Sequence, residues 1–157
     1  MDLSDLSQAY SHTLILTGRQ WRRVANTVTE RHGISEAKAL PLVMIARMGD
    51  APRQNALAEA VGIEGPSLVR LLDQLEKAGL VVRTEDPSDR RAKVLSLTSE
   101  AKMVVAEIEV ELAGLRAAMF ADVSPADLEA SLRVFRTVQD FAAGASAAAA
   151  ATKDAPE

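Results

Sequence analysis

The chain has 157 residues, the length of one ordinary domain that buries its own hydrophobic core. Hydrophobic residues make up 48% and charged residues 25%, which is typical of a globular protein. Cysteine is absent, so disulfides, thiol chemistry and cysteine-ligated zinc are excluded. No apolar run approaches the roughly 18 residues of a membrane span, and the N-terminus lacks a signal peptide's regions. We therefore expect a cytoplasmic protein with no membrane partner.

The formal net charge of −4 is distributed unevenly along the chain. Residues 1–46 carry +1, residues 47–98 carry 0 and residues 99–157 carry −5. A neutral segment still binds nucleic acid if its arginines share one surface. Charge by itself therefore neither supports nor excludes DNA binding by the middle segment.

Helical spacing of the apolar positions predicts four helices in the first half of the chain. Gly33 is suited to follow the end of the first helix, and Ser35 to cap the second. Pro66 is suited to the first turn of the fourth helix. The predicted helices cover about residues 3–31, 35–48, 55–61 and 65–78.

A β-hairpin is predicted over residues 81–98, with Pro87 and Ser88 in the turn. A long helix follows from residue 99 to about 121, and another from Ser124 to about 143. The alanines of residues 145–157 are compatible with an extension of the last helix, but the segment is poor in large apolar side chains, and we expect a disordered tail. The predicted fold is mainly α with a small β-wing.

The two last helices carry apolar residues in regular stripes. In the fifth, the spacing alternates between three and four residues, as in a seam for a long partner helix. Such stripes also form ordinary intramolecular cores. The stripes are Ala101, Val105, Ile108, Leu112, Leu115 and Met119 in the fifth helix and Leu128, Leu132, Phe135, Val138 and Phe141 in the sixth.

The segment LAEAVGIEGPSLVRLLDQLEKAGLVVR, residues 57–83, has the pattern of a helix-turn-helix. Leucines group on one side of its second helix, and an opposite stripe holds Ser67, Arg70, Gln74 and Lys77. A helix of this kind fits the DNA major groove, where Arg70 can donate two hydrogen bonds to guanine. A merely solvated amphipathic hairpin explains the same pattern equally well.

The predicted β-hairpin VRTEDPSDRRAKVLSLT helps to distinguish DNA binding from a merely solvated helical hairpin. Arg90 and Arg91 lie at its turn, and Asp89 is close enough in sequence to brace the Arg91 guanidinium. Guanidinium groups suit the narrow, electronegative minor groove beside a docked helix. Taken alone, the same residues are an ordinary charged surface turn. A helix-turn-helix followed at once by a basic hairpin favours DNA binding.

Residues 57–101 closely resemble the winged helix-turn-helix core of MarR-type transcriptional regulators, especially the SlyA-like branch. The wing pattern D-x-R-x-x-x-x-x-L-T is met by Asp89, Arg91, Leu97 and Thr98. The resemblance implies a homodimer with a helical dimerisation region, residues 1–34 and 99–144, and a DNA-binding lobe, residues 35–98. It also implies that Arg70 lies on the recognition helix and that Arg91 is the wing arginine.

Residues and resemblance together predict a repressor that binds an inverted repeat in double-stranded DNA. Two alternatives are a ligand-binding module and a protein–protein adaptor, each descended from a DNA-binding ancestor. Both predict loss of basic residues from the helix and wing, whereas Arg70, Arg90 and Arg91 are present. The expected DNA contacts are Pro66, Ser67, Arg70, Gln74, Asp89, Arg90, Arg91 and Lys93.

The SlyA-like resemblance also implies an aromatic carboxylate effector, bound between the dimerisation helices and the DNA-binding lobe. Arg19 corresponds to a pocket arginine. Ala39 stands where a bulky aromatic residue is expected, a departure from the pattern that either widens the pocket for a larger aromatic ligand or abolishes it. Trp21 and Val43 complete the predicted pocket. Arg19 is equally explained as an exposed helix charge.

Motifs of enzymes are not found in the sequence. It has no Gly-rich phosphate loop and no G-x-S-x-G, and His12 and His32 lack a metal-ligand spacing. We expect a protein that is not an enzyme and that uses no cofactor or metal.

Overall fold

The computed structural model describes residues 2–49 and 51–153, with side chains described up to residue 145. Two compact units divide at Leu115, within the fifth helix. The described residues form six helices and one two-stranded sheet: α1 Leu3–Arg31, α2 Glu36–Met48, α3 Gln54–Val61, α4 Gly65–Lys77, β1 Val81–Asp86, β2 Asp89–Leu97, α5 Ser99–Met119 and α6 Pro125–Lys153. This order confirms the predicted fold class.

Local signals in the sequence account for both ends of α1. Asp2 and Asp5 cap the first turn reciprocally, each carboxylate accepting from the other's backbone N–H at 2.8 and 3.3 Å. At the other end Gly33 has φ +72°, a conformation that favours glycine. The Ile34 N–H then bonds the Thr29 carbonyl at 3.1 Å, which closes a Schellman motif.

The hydrophobic core lies in the first unit. Side chains from all of α1 to α5 and from both strands contribute to it. Each fully buried leucine contributes about 2 kcal/mol or more of burial free energy. The largest fully buried side chains are Leu42, Leu57, Leu68, Leu72, Leu75, Leu95 and Ile108.

The hairpin is antiparallel, and its register pairs Val81 with Leu97 and Asp86 with Asp89. Pro87 and Ser88 therefore form the turn, as predicted. On its other edge β2 contacts the link between α2 and α3, because the Leu95 N–H donates to the Pro52 carbonyl at 3.0 Å. That contact is absent from the sequence-based interpretation.

Thr98 joins three elements at the base of the hairpin. Its hydroxyl donates to the Gly79 carbonyl at 2.8 Å and accepts from the Ala101 N–H at 3.2 Å, in the first turn of α5. Its own N–H donates to the Leu80 carbonyl at 3.1 Å. The end of α4, the end of β2 and the start of α5 thus meet at one side chain.

The last helix is longer than predicted. The sequence-based end near residue 143, with a disordered tail over 145–157, is wrong for residues 145–153, because α6 continues to Lys153. Alanine has the highest helix propensity, so the alanine-rich segment extends the helix without a packing face of large side chains. The predicted tail over 154–157 lies outside the described residues.

The two predicted stripes have different environments. In α5, Ala101, Val105, Ile108 and Leu112 are all buried in the core of the first unit, so this part of the seam is intramolecular. In α6, Phe141 is 80% exposed. Leu132, Phe135 and Val138 are exposed as well, whereas Leu128 is half-buried, so most of the α6 stripe is an apolar surface in the single chain. No helix in the described part of the chain is both long and apolar enough to cross a membrane.

Replacing Thr98 by valine should lower the free energy of unfolding by about 1–2 kcal/mol, because a helix-cap bond and a bond to Gly79 are lost together. Thr84→Val is the matched control, since Thr84 is exposed on β1; its effect should stay within about 0.5 kcal/mol. Urea denaturation of both variants measures the difference. Equal effects would contradict the role of Thr98 as a junction.

Candidate nucleic-acid interface

A tight turn sets α4 against α3. Gly62 has φ +65° and ψ +35°, the left-handed conformation that ends α3. The Ile63 N–H bonds the Ala58 carbonyl at 3.1 Å. Pro66 stands in the first turn of α4, where its missing N–H leaves no helical bond unmade. The helix-turn-helix predicted from the glycine pattern is confirmed.

Helix α4 has two distinct faces. Leu68, Leu72 and Leu75 are fully buried on the core side. The outer stripe, Ser67, Arg70, Gln74 and Lys77, is exposed, as is Pro66. Among the contacts of the described residues, the Arg70 side chain takes part in neither a hydrogen bond nor an ion pair. Its guanidinium therefore presents an uncompensated charge to an external acceptor.

Arg83 of β1 neutralises the acidic flank of α4. Its Nε lies 3.0 Å from a Glu76 carboxylate oxygen, and its Nη2 contacts both Glu76 and Asp73. The hydrogen bond from Arg83 lowers the pKa of Glu76, and the bonds to Glu76 and Asp73 raise the pKa of Arg83. These pairs fasten β1 to α4 and remove negative charge beside the outer stripe.

The two wing arginines are exposed near the start of β2. The register shifts between Glu85, which pairs with Lys93, and Asp86, which pairs with Asp89, so Arg90 and Arg91 lie in an irregular stretch of the ribbon without partners on β1. The predicted brace between Asp89 and the Arg91 guanidinium is wrong: the Asp89 carboxylate accepts from the Arg91 backbone N–H at 3.1 Å. This is the usual preference of an aspartate for the amide two residues on. Lys93 lies across the ribbon from Glu85, with its Nζ 3.5 Å from the carboxylate.

A second arginine, Arg53 at the start of α3, holds the turn of the hairpin. Its Nε donates to an Asp86 carboxylate oxygen at 2.6 Å and its Nη2 to the Ser88 hydroxyl at 3.1 Å. The other Asp86 oxygen accepts from the Ser88 N–H and hydroxyl, both at 2.7 Å. The bonds from Ser88, with that from Arg53, lower the pKa of Asp86 from 3.8 to about 2. We call Arg53, Asp86 and Ser88 the turn anchor.

Sequence reasoning missed both Arg53 and Arg83. Arg83 is 7 and 10 residues from its two partners, and Arg53 is 33 residues from Asp86. The signal in the sequence was weak, because an arginine among several acids is also the pattern of a solvated surface. The pairs become specific only once the fold brings these elements together.

The four predicted ligand residues do not share an open site. Ala39 and Val43 are buried in the core, and Trp21 packs against it. Arg19 is exposed on α1. A groove of about 840 Å³ lies elsewhere, lined by residues of α2, β2 and α5 such as Arg47, Leu97 and Glu109, and by none of the four.

His32 lies between two acidic side chains of α5. Within the described residues there is no group of three or more His, Asp or Glu that could hold a metal ion. The Nε2 atom of His32 lies 2.8 Å from a Glu111 carboxylate oxygen, and its Nδ1 lies 3.4 Å from Glu107. His32 therefore links the end of α1 to α5.

Comparison with known proteins places this fold among transcriptional regulators. Residues 32–92 match the sequence model of the MarR family. The chain is similar to a transcriptional regulator designated PA3341, with 35% identity, a TM-score of 0.79, and coverage of 86% of this chain and 98% of the other.

Two solved structures from Staphylococcus aureus have the same fold at lower identity. MepR in complex with DNA is 20% identical, with a TM-score of 0.72 over 84% of this chain and 97% of the other. MarR in complex with salicylate and kanamycin is 20% identical, with a TM-score of 0.75 over 88% and 93%.

Asp86→Asn should make folding less sensitive to acid. Because the folded-state pKa of Asp86 is about 2 and its ordinary value is 3.8, its contribution is fully present above about pH 4. The contribution is lost as pH falls through about 2. The wild type should therefore exceed the variant in unfolding free energy by a margin that shrinks over this window. Urea denaturation at a series of pH values measures the margin, and a constant margin would contradict the anchored carboxylate.

Proposed function

Because the chain belongs to the MarR family of transcriptional regulators, we propose that it is a homodimeric repressor that binds an inverted repeat in double-stranded DNA. The observation that carries this proposal is the exposed, uncompensated Arg70 on α4 together with Arg90 and Arg91 on the adjacent hairpin. A planar guanidinium matches both base edges and phosphates, and these three are presented outward. The resemblance of residues 57–101 supports a place in the SlyA-like branch.

Helix α4 is the proposed recognition helix. Arg70 donates two hydrogen bonds to a guanine, while Ser67 and Gln74 bond neighbouring bases or phosphates. Pro66 lies at the end of the helix that enters the major groove first. These roles are supported by the exposure of all four side chains on one face of α4, while the leucines on the opposite face are buried in the core.

The hairpin is the proposed wing. Arg91 is the proposed wing arginine that enters the minor groove, and Arg90 beside it adds a second exposed charge near the phosphate backbone. Lys93 adds a partly compensated charge, and Asp89 shapes the backbone at Arg91.

Dimerisation is assigned to residues 1–34 and 99–144, and DNA binding to residues 35–98. Support comes from large apolar side chains left exposed on α1 and α6, since a sizeable exposed apolar surface marks an interaction site. Leu3 is 82% exposed and Phe141 80%. A two-fold dimer presents two recognition helices about 34–36 Å apart, which matches an inverted repeat on one face of DNA.

An aromatic carboxylate is the proposed effector, with Arg19 as its counter-ion and Trp21, Ala39 and Val43 as its apolar contacts. The exposure of Arg19 supports the first role. Because Ala39 and Val43 are buried in the core, the ring enters only if α1 and α2 separate. A ligand that requires this separation favours one arrangement of the lobe over another, and so changes DNA affinity.

Arg70→Ala should weaken specific binding by about 1–3 kcal/mol per half-site and relax discrimination at one base pair. Arg91→Ala should weaken binding mainly where the flanks are rich in A·T and have a narrow minor groove. Fluorescence anisotropy on duplexes selected from a random library, and on scrambled duplexes, measures both. Lys102→Ala is the control, because Lys102 is exposed on α5 outside the helix and wing. Equal losses on selected and scrambled DNA would refute sequence reading by these residues.

An aromatic acid should lower operator affinity, and the operator should lower affinity for the acid by the same factor, corresponding to about 1–3 kcal/mol. Calorimetry with a panel of aromatic acids, with and without operator, measures this coupling in the wild type and in Arg19→Ala. Arg23→Ala is the control on the same helix. The effector assignment fails if no acid binds, or if binding is indifferent to both the operator and Arg19.

A further inference from the structure

The turn anchor of Arg53, Asp86 and Ser88 has a geometry beyond that of a surface ion pair. Asp86 is 7% exposed, so the carboxylate is among the buried polar groups of the described residues. Its two oxygens accept three hydrogen bonds: one oxygen accepts two from Ser88, and the other accepts one from Arg53. A further hydrogen bond, from Arg53 to the Ser88 hydroxyl, links the two donors to each other. A buried and hydrogen-bonded carboxylate holds its neighbours more firmly than an exposed pair does.

The anchor also has a backbone counterpart farther down the ribbon. The Leu95 N–H donates to the Pro52 carbonyl at 3.0 Å, and Arg53 forms an isolated antiparallel bridge with Val94. The residues just before α3 therefore hold the hairpin at two levels, by main chain at mid-strand and by side chain at the turn. The start of the helix-turn-helix and the tip of the hairpin are parts of one connected unit.

Arg90 and Arg91 follow the anchored turn directly. A two-stranded ribbon is marginally stable by itself, so an unanchored tip samples many orientations. Ordering such a tip on DNA would subtract from the binding free energy. The anchor removes this cost in advance, because it fixes Asp86, which precedes the turn, and Ser88, which lies in the turn two residues before Arg90.

We propose that Arg53 and Asp86 are positioning residues that hold the wing in the orientation in which Arg90 and Arg91 bind DNA; this rests on the DNA-binding function proposed above. Neither residue needs to contact DNA for this effect. The competing explanation is direct contact, since the Arg53 side chain is 46% exposed and carries a charge that attracts phosphate.

The variant Asp86→Asn separates the two explanations. It preserves the size of the side chain and frees the Arg53 charge. Positioning predicts that operator affinity falls by about 5- to 30-fold, whereas direct contact by Arg53 predicts unchanged or higher affinity. Arg53→Gln should give a loss of similar size, and Arg53→Lys an intermediate loss, because lysine cannot bond Asp86 and Ser88 as a planar fork.

A second readout excludes a general structural defect. If the anchor acts through the wing, Asp86→Asn should have little further effect in an Arg90→Ala/Arg91→Ala background, so the losses are non-additive. Discrimination at the base pair read by Arg70 should be unchanged. Hydrogen exchange of the free protein should quicken at wing amides more than at those of α4.

The control is Arg47→Gln, which removes a pair of matched geometry between α2 and α5. The Arg47 Nε and Nη2 atoms lie 2.6 and 3.0 Å from the two Glu109 carboxylate oxygens. Its operator affinity should equal that of the wild type.

Anisotropy with the selected duplex gives each affinity, and thermal unfolding at neutral pH checks that each variant is folded. If Asp86→Asn is unfolded, Arg53→Gln carries the test, since Arg53 is half-exposed. Wild-type affinity in either folded anchor variant, or losses fully additive with those of the wing arginines, overturns the positioning proposal alone. Failure of the wild type to bind any selected duplex overturns the DNA-binding function and the positioning proposal together.

Discussion

A two-stranded ribbon buries too little surface to hold its own orientation, so the wing depends on what fastens it to the helices. Three side chains do this along its length, in addition to the backbone bond between Leu95 and Pro52. Thr98 joins its base to the ends of α4 and α5, Arg83 pairs its first strand with α4, and Arg53 holds its turn. Helix α4 is in turn fixed by leucines that are fully buried. The outer stripe of α4 and the hairpin that carries the wing arginines are therefore linked by direct side-chain contacts.

The same contacts pair several acidic side chains of residues 35–98 with arginines. Residues 47–98 have a formal net charge of zero, and this net charge by itself neither supports nor excludes nucleic-acid binding. In the structure Asp73 and Glu76 pair with Arg83, and Asp86 pairs with Arg53. These three acids are thus engaged in structural pairs, while Arg70, Arg90 and Arg91 are exposed. An acidic protein can present a basic surface in this way, because local arrangement rather than net charge decides the field at close range.

Local signals allowed most of the fold to be predicted. Gly33 and Gly62 mark helix ends and Pro66 a helix start, and the predicted bounds of the first four helices agree closely with the structure. The hairpin and its turn at Pro87 and Ser88 also agree with the structure. Contacts between residues distant in the chain were not predictable. Arg53 and Asp86 of the turn anchor are 33 positions apart. Whether the α5 stripe faces the core or a partner likewise depends on which elements pack against it. The predicted contact between Asp89 and the Arg91 guanidinium was wrong because the Asp89 carboxylate accepts a hydrogen bond from the nearby Arg91 backbone N–H instead. The prediction that the last helix ends near residue 143 was wrong because the high helix propensity of alanine extends α6 to Lys153.

The salt dependence of operator binding tests the central claim most directly, since a surface of outward cations that binds DNA does so largely by releasing counterions. Anisotropy titrations of a selected inverted-repeat duplex over a range of salt concentrations give log K against log salt. If Arg70, Arg90, Arg91 and Lys93 of two subunits neutralise about six to eight phosphates, the slope should be about −5 to −7. A slope near zero would contradict the account.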